Sequence, residues 1–139
     1  VTARVLRIAA AVMLDAEGRL LLVRKRGTEA FMQPGGKLEA GEDGATCLVR
    51  ELAEELGMVV AVGVLAPLGR FSAPAANEPG FRVDCDVFRV PAPASIEVRA
   101  ELAEARWVDR AALDEFAAAG RLAPLTRDNL GRFLDAPTR

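Results

Sequence analysis

GKLEAGEDGATCLVRELAEELGM, residues Gly36 to Met58, contains the clearest helix of the chain and its strangest charge pattern. Ala45, Leu48, Val49, Leu52 and Leu56 recur at the helical period and form one apolar stripe. Asp43 stands where an N-cap belongs, and Gly57 where a left-handed C′ residue would stop the helix. Glu51, Glu54 and Glu55 then crowd the C-terminal turns, where the helix dipole disfavours anions. With Glu51 at the origin of a helical wheel, Glu55 falls near 40° and Glu54 near −60°, at roughly 100° per residue. The three carboxylates therefore fan out along the edge of the apolar stripe.

Two such charges about 5 Å apart repel by about 3 kcal/mol at an effective dielectric near 20. Arg50 can pair with Glu54 four residues on, but one cation does not balance three anions. A hard divalent ion would, because Mg²⁺ and Mn²⁺ take oxygen ligands and share their sphere with phosphates. The competing reading is a solvated acidic face. Against it stands the upstream Pro34-Gly35-Gly36-Lys37, a backbone able to approach an anion or metal closely. A further acidic segment, IEVRAELAEARWV (Ile96 to Val108), could fold back to the same place.

The remaining sequence supports a single mixed α/β domain over residues 1–139, long enough to bury a core. Val5–Leu14 and Leu20–Val23 flank a DAEG turn and read as a hairpin. Val59–Phe71 reads as a strand, Ser72–Gly80 as a loop, and Phe81–Phe88 as a half-buried strand. Arg106–Val108 is a short last strand, Asp109–Ala119 a helix, and Leu125–Leu134 a terminal helix opened by Pro124. Cys85 alternates with Val83 and Val87 as a core position, and Cys47 reads as a small half-buried helix residue. Trp107 and Phe88 read as packing, and Asp84 and Asp86 as a solvated strand face.

A net charge of −2 gives no reason to expect a nucleic-acid polymer as partner. Two unpaired cysteines and no apolar run of spanning length point to a cytoplasmic protein with no membrane partner. The chain has neither His nor Tyr, so imidazole bases and His-metal sites are excluded.

Gly36, Glu42, Arg50, Glu51, Leu52, Glu54, Glu55, Gly57 and Met58 fill every fixed position of a pattern, G-x5-E-x7-R-E-U-x-E-E-x-G-U with U aliphatic. This segment resembles the signature of the Nudix hydrolases; unbranched Met58 is its loosest match. The resemblance implies an α/β/α sandwich with a mixed β-sheet and the signature as a loop-helix-loop. It implies Mg²⁺-dependent hydrolysis (Mn²⁺ as substitute) of a nucleoside diphosphate linked to a group X. Carried over by residue, Glu51, Glu54 and Glu55 hold the metal with help from the carbonyl of Gly35. Arg50 orients the glutamates, Glu42 braces the loop, and Gly36 and Gly57 are structural. Glu101 stands six residues before Trp107, where the family often has a further metal glutamate, with Glu97 and Glu104 as neighbours in competition. Glu51 or Glu101 is then the general base.

Arg24, Lys25 and Lys37 are cations for the phosphates, and Phe31 and Gln33 a substrate wall. Base or sugar selectivity falls to Ser72–Gly80 and to the region of Thr126. The compact chain resembles hydrolases of (deoxy)nucleoside triphosphates, oxidised ones included. Pro74 resembles an ADP-ribose hydrolase feature, and Ala75 disfavours dinucleoside polyphosphates. ADP-ribose or nucleotide-sugar hydrolysis and a non-catalytic nucleotide sensor are the alternatives. The expected partner is a small nucleotide, and a homodimer is compatible with the sequence.

Overall fold

The computed structural model describes residues 4–135. In chain order the strands are β1 (Arg4–Val12), β2 (Leu20–Lys25), β3 (Phe31–Met32), β4 (Gly35–Lys37), β5 (Ala66–Pro74), β6 (Phe81–Arg89) and β7 (Leu102–Val108). The helices are α1 (Gly44–Leu56), α2 (Arg110–Ala118) and α3 (Pro124–Asp128), with 3-10 turns at Val62–Val64 and Leu130–Asp135. Two sheets form. One is mixed, in the order β4-β1-β6-β5 with β1 and β6 parallel, and the other is antiparallel, β3-β2-β7.

Alternation along β1 and β2 feeds two cores, one on each side of the sheet layer. Ala9, Ala11, Met13, Leu21 and Val23 meet Cys47, Leu48, Leu52 and Leu56 of α1. Ala10, Val12, Leu20 and Leu22 turn the other way, toward Leu113 and Phe116 of α2, Leu125 of α3 and Leu130. The result is the expected α/β/α sandwich. Each fully buried leucine of α1 contributes about 2 kcal/mol of transfer free energy. Leu52→Ala, which leaves a cavity as well, would cost about 2–5 kcal/mol.

The caps of α1 fall where the sequence puts them. Asp43 accepts from the Thr46 N–H at 2.8 Å, and Gly57 is left-handed at φ 66°. The 3.6-residue stripe is rotated slightly, however. Glu55 and Cys47 lie inside it, while Ala45 and Val49 stay half-buried.

Four element assignments change. β1 and β2 do not form a hairpin: they enter different sheets and touch only at their near ends, through the bridge Leu14–Leu20 and the Leu21 N–H to Met13 carbonyl bond of 3.0 Å. Both edges of β1 are taken by β4 and β6, so β2 pairs elsewhere. Val59–Leu65 is not strand, and Val59 is 95 % exposed. The strand instead spans Ala66–Pro74, taking in the first three residues of the expected Ser72–Gly80 loop. Pro67 has no N–H to donate and Gly69 sits at φ 124°; a register shift between them absorbs both at the sheet edge. β7 starts at Leu102, four residues before the expected Arg106. The terminal helix breaks after Asp128 and resumes as a 3-10 turn. No helix among the described residues is long and apolar enough to cross a membrane.

Candidate active site

β4 is pressed so close to β1 that only glycine fits at its start. A Cβ on Gly35, at φ 150°, would overlap the carbonyl oxygen of Ala9. A Cβ on Gly36 would come within 2.5–2.7 Å of the Glu51 carboxylate. These two glycines let α1 lie against β4 with its acidic face turned onto the strand. The N–H of Gly35 donates to Glu55 Oε1 at 3.2 Å.

Glu101 reaches the same place from the other end of the chain. The segment before β7 is tied to the C-terminus of α1, with the Glu97 N–H on the Leu56 carbonyl at 3.0 Å and the Arg99 N–H on that of Glu55 at 2.8 Å. One carboxylate oxygen each of Glu51, Glu55 and Glu101 then lie within 4.8 Å of one another. Of the three glutamates before or in β7, geometry thus selects Glu101. Glu97 is exposed and paired with Arg99 at 2.9 Å. Glu104 pairs with Arg24 and Arg106, both at 2.9 Å.

Of the clustered carboxylates only Glu51 is bonded to a cation among the described residues, Arg50 at 2.9 Å. Burial, then the charge of Glu51, pushes the Glu55 carboxyl up to about 8, against the Gly35 N–H that holds it down. Glu51 is raised as well, burial being the larger cause. Glu55 is 1 % exposed, far deeper than an edge position. Glu101 approaches from an exposed position, and three oxygens converging from the buried and the open side suit a hard divalent ion, which supplies charge that Arg50 alone does not.

Arg50 organises the surroundings. Its guanidinium donates to both oxygens of Glu42 at 2.7 and 2.8 Å, to Glu51 at 2.9 Å, and to the Lys37 carbonyl at 3.1 Å. Those bonds, with the Glu39 N–H, hold Glu42 down to about 2. The bracing role expected of Glu42 and the orienting role of Arg50 thus have contacts to carry them. Glu54 stands apart: half-exposed, it reaches Arg50 at 3.4 Å and is not in the cluster of three.

The substrate-side expectations divide. Lys37 lies at the rim of a cleft, paired with Glu78 at 3.1 Å. Gln33 lines that cleft. Phe31 does not: it is fully buried and stacked on Phe116 with centroids 4.5 Å apart. A ring held between β2 and α2 cannot form a substrate wall, contrary to the sequence expectation. Arg24 belongs to the same face as Phe31, where its guanidinium is spent on Glu104 and the Thr28 carbonyl. Arg24 therefore does not face the cleft as the phosphate ligand the sequence suggested. Asp84 and Asp86 are half-buried rather than solvated, bound by Arg7 and Arg70, with Asp86 against Gly44 at the start of α1.

The cleft lies over the face of the mixed sheet away from α1, between Leu6, Ile8 and Val83 on one side and Leu125 and Thr126 of α3 on the other. Lys25, Gly35 and Gly36 also line it, so β4 borders both the cleft and the acidic cluster. The sequence signal for this floor was the alternation of Leu6, Ile8 and Ala10, which reads equally well as core.

The NUDIX domain family profile matches residues 5–128, and the chain belongs to that family. An uncharacterised Nudix hydrolase of Pseudomonas aeruginosa is 35 % identical over 104 residues, 70 % of this chain and 59 % of that protein. An isopentenyl-diphosphate Delta-isomerase of Cereibacter sphaeroides is 31 % identical over 116 residues, 76 % of this chain and 66 % of that protein. The chain thus spans about three fifths to two thirds of the length of these curated relatives. The crystal structure of a MutT protein from Methanosarcina mazei superposes with a TM-score of 0.74 at 22 % identity, covering 96 % of this chain and 95 % of that one. That likeness establishes the shared fold.

Proposed function

We propose that this chain is a divalent-metal-dependent pyrophosphohydrolase acting on a nucleoside diphosphate linked to X, with nucleoside triphosphates ahead of ADP-ribose and nucleotide sugars. The observation that carries the reading is the convergence of Glu51, Glu55 and Glu101 within 4.8 Å, beside a strand that also walls a cleft. These three would hold the ion, Mg²⁺ or Mn²⁺, and Glu54 would join them on leaving Arg50. When bound, the ion neutralises phosphoryl oxygens and acidifies a water. Glu51 or Glu101 takes the proton of the attacking water. Lys37 and Lys25, at the cleft, meet the polyphosphate and stabilise the leaving group. The Gly35 N–H and the Arg50 bonds keep the carboxylates in place. With Cys47 and Cys85 both buried as free thiols, a reducing cytoplasm is the compartment that fits.

The test is a product assay with Mg²⁺ over (deoxy)nucleoside triphosphates, ADP-ribose, a nucleotide sugar and isopentenyl diphosphate. Nucleoside monophosphate plus pyrophosphate supports the triphosphate reading; AMP plus ribose phosphate selects ADP-ribose. Nucleotide binding without turnover would favour a sensor. Conversion of isopentenyl diphosphate alone would sink the hydrolase assignment.

A further inference from the structure

Gln33 is 5 % exposed and Thr126 1 % exposed, the two rare polar side chains buried in the wall of the cleft. The Thr126 hydroxyl donates to Gln33 Oε1 at 2.6 Å. With the hydroxyl's one proton spent on Oε1, the amide oxygen is used and Nε2 is left buried with no partner among the described residues; the reverse orientation would leave two groups unpaired, the hydroxyl proton and Oε1. A buried amide nitrogen without an acceptor is costly, and natural proteins rarely keep one. Around it the cleft supplies aliphatic walls, Leu6, Ile8, Val83 and Leu125, suited to a flat apolar surface rather than to another polar group.

We infer that Gln33, oriented by Thr126, is the specificity-determining residue of the cleft and selects a nucleobase with an oxo group at purine C6 or pyrimidine C4, where adenine and cytosine carry an amino group. The inference rests on the nucleotide reading above and deepens it. An oxo oxygen entering the cleft supplies the acceptor that Nε2 lacks, with a small turn of the amide bringing its N–H₂ to the ligand. An exocyclic amino group in the same position sets donor against donor and leaves both unpaired. Sites built around a buried hydrogen-bonding group discriminate far more strongly than apolar pockets of equal size, because the wrong ligand leaves that group desolvated. Hypoxanthine, guanine, uracil and thymine belong to the accepted class, and adenine and cytosine to the rejected one. Thr126 is a positioning residue in this scheme, since it acts only through Gln33.

The test compares ligands that differ at one exocyclic group. Binding of IMP and AMP to the full chain is measured by calorimetry, and hydrolysis of ITP against ATP, and dUTP against dCTP, is measured with Mg²⁺. Wild type should bind IMP at least ten times more tightly than AMP, and kcat/KM should show the same order in both triphosphate pairs. Gln33→Leu should bring the IMP/AMP ratio to within threefold of one. Thr126→Val should do so with Gln33 still in place, because the amide is then free to turn over, whereas Thr126→Ser should retain the preference. Equal affinities, a preference for AMP, or failure of both monophosphates to bind would overturn the inference. An IMP preference without turnover of any triphosphate would leave this inference standing and remove the hydrolase reading instead.

Discussion

Glu55→Gln should stabilise the metal-free protein, although it changes one of the best-defined acidic positions in the chain. In the unfolded chain this carboxyl loses its proton near 4.5; in the folded protein burial and Glu51 hold it to about 8. Between those values the folded state carries the extra proton, so every rise in pH favours unfolding. Stability is therefore intact below about pH 4.5 and lost progressively up to about 8. At about 1.4 kcal/mol per pH unit the interval corresponds to about 5 kcal/mol. Part of that is repulsion shared with Glu51, and relaxation around the carboxylate lowers it further, so about 2–4 kcal/mol is the expected effect at pH 8. Glutamine keeps the oxygen that accepts from the Gly35 N–H and never ionises.

Thermal denaturation in EDTA at pH 5, 6, 7 and 8 would follow the gap between variant and wild type. It should be near zero at the acid end and reach about 10 °C at pH 8, taking roughly 4 °C per kcal/mol for a domain of this size. Saturating Mn²⁺ should then close the gap at pH 8 and invert the order at pH 6, where the gap is smaller. An ion at a hundred times its dissociation constant stabilises wild type by about 2.7 kcal/mol, and the variant should gain little of this. A variant less stable than wild type at every pH in EDTA would refute the argument, since Glu55 would then be held ionised by a partner other than a metal.

Three further outcomes follow from the same contacts. Gly36→Ala should fold but bind Mn²⁺ at least tenfold more weakly in a calorimetric titration, because the new Cβ meets the Glu51 carboxylate at 2.5 Å; Gly35→Ala, which drives a Cβ into the β1 backbone, should fail to fold. Arg50→Lys should lower Tm by several degrees and weaken acid resistance, since Glu42 contributes stability that is present above 4.5 and lost as pH falls toward about 2, and a lysine cannot make the two-pronged contact. Glu51→Gln and Glu101→Gln should each reduce Mn²⁺ affinity more than Glu54→Gln, whose carboxylate lies outside the cluster; turnover with Mg²⁺ should fall by orders of magnitude in all three if Glu54 joins the site in the substrate complex.

Where one residue type dictates one local geometry, the fold was legible in the sequence. Asp43 and Gly57 cap α1 because a short acceptor side chain and a residue free to adopt positive φ are what helix ends need. Strand partnership was not legible in the same way. DAEG has the composition of a hairpin turn and does turn the chain, with Asp15 accepting from the N–H groups of Glu17 and Arg19. Which strand β1 then pairs with is decided by residues 25 and more positions away, in β4 and β6. Alternation identified the faces but not their depth. Phe31 and Gln33, two residues apart, do lie on one face, yet Phe31 lies beneath α2 and Gln33 beneath open cleft. Nothing within a few residues of either distinguishes the two.

Charge crowding at the end of α1 was the best functional signal, and the structure changes what it means. The helix does not hold three equivalent carboxylates awaiting an ion. Arg50 takes up Glu42 and shares itself between Glu51 and Glu54, while Glu55, out of its reach and almost without solvent, is relieved by keeping its proton. A divalent ion entering this site would release that proton, so metal affinity should rise with pH over the same interval in which the metal-free fold weakens. The two dependences share one cause. If Mn²⁺ affinity measured from pH 6 to 8 were flat, the proton and the ion would not be competing for Glu55, and its place among the ligands would be lost.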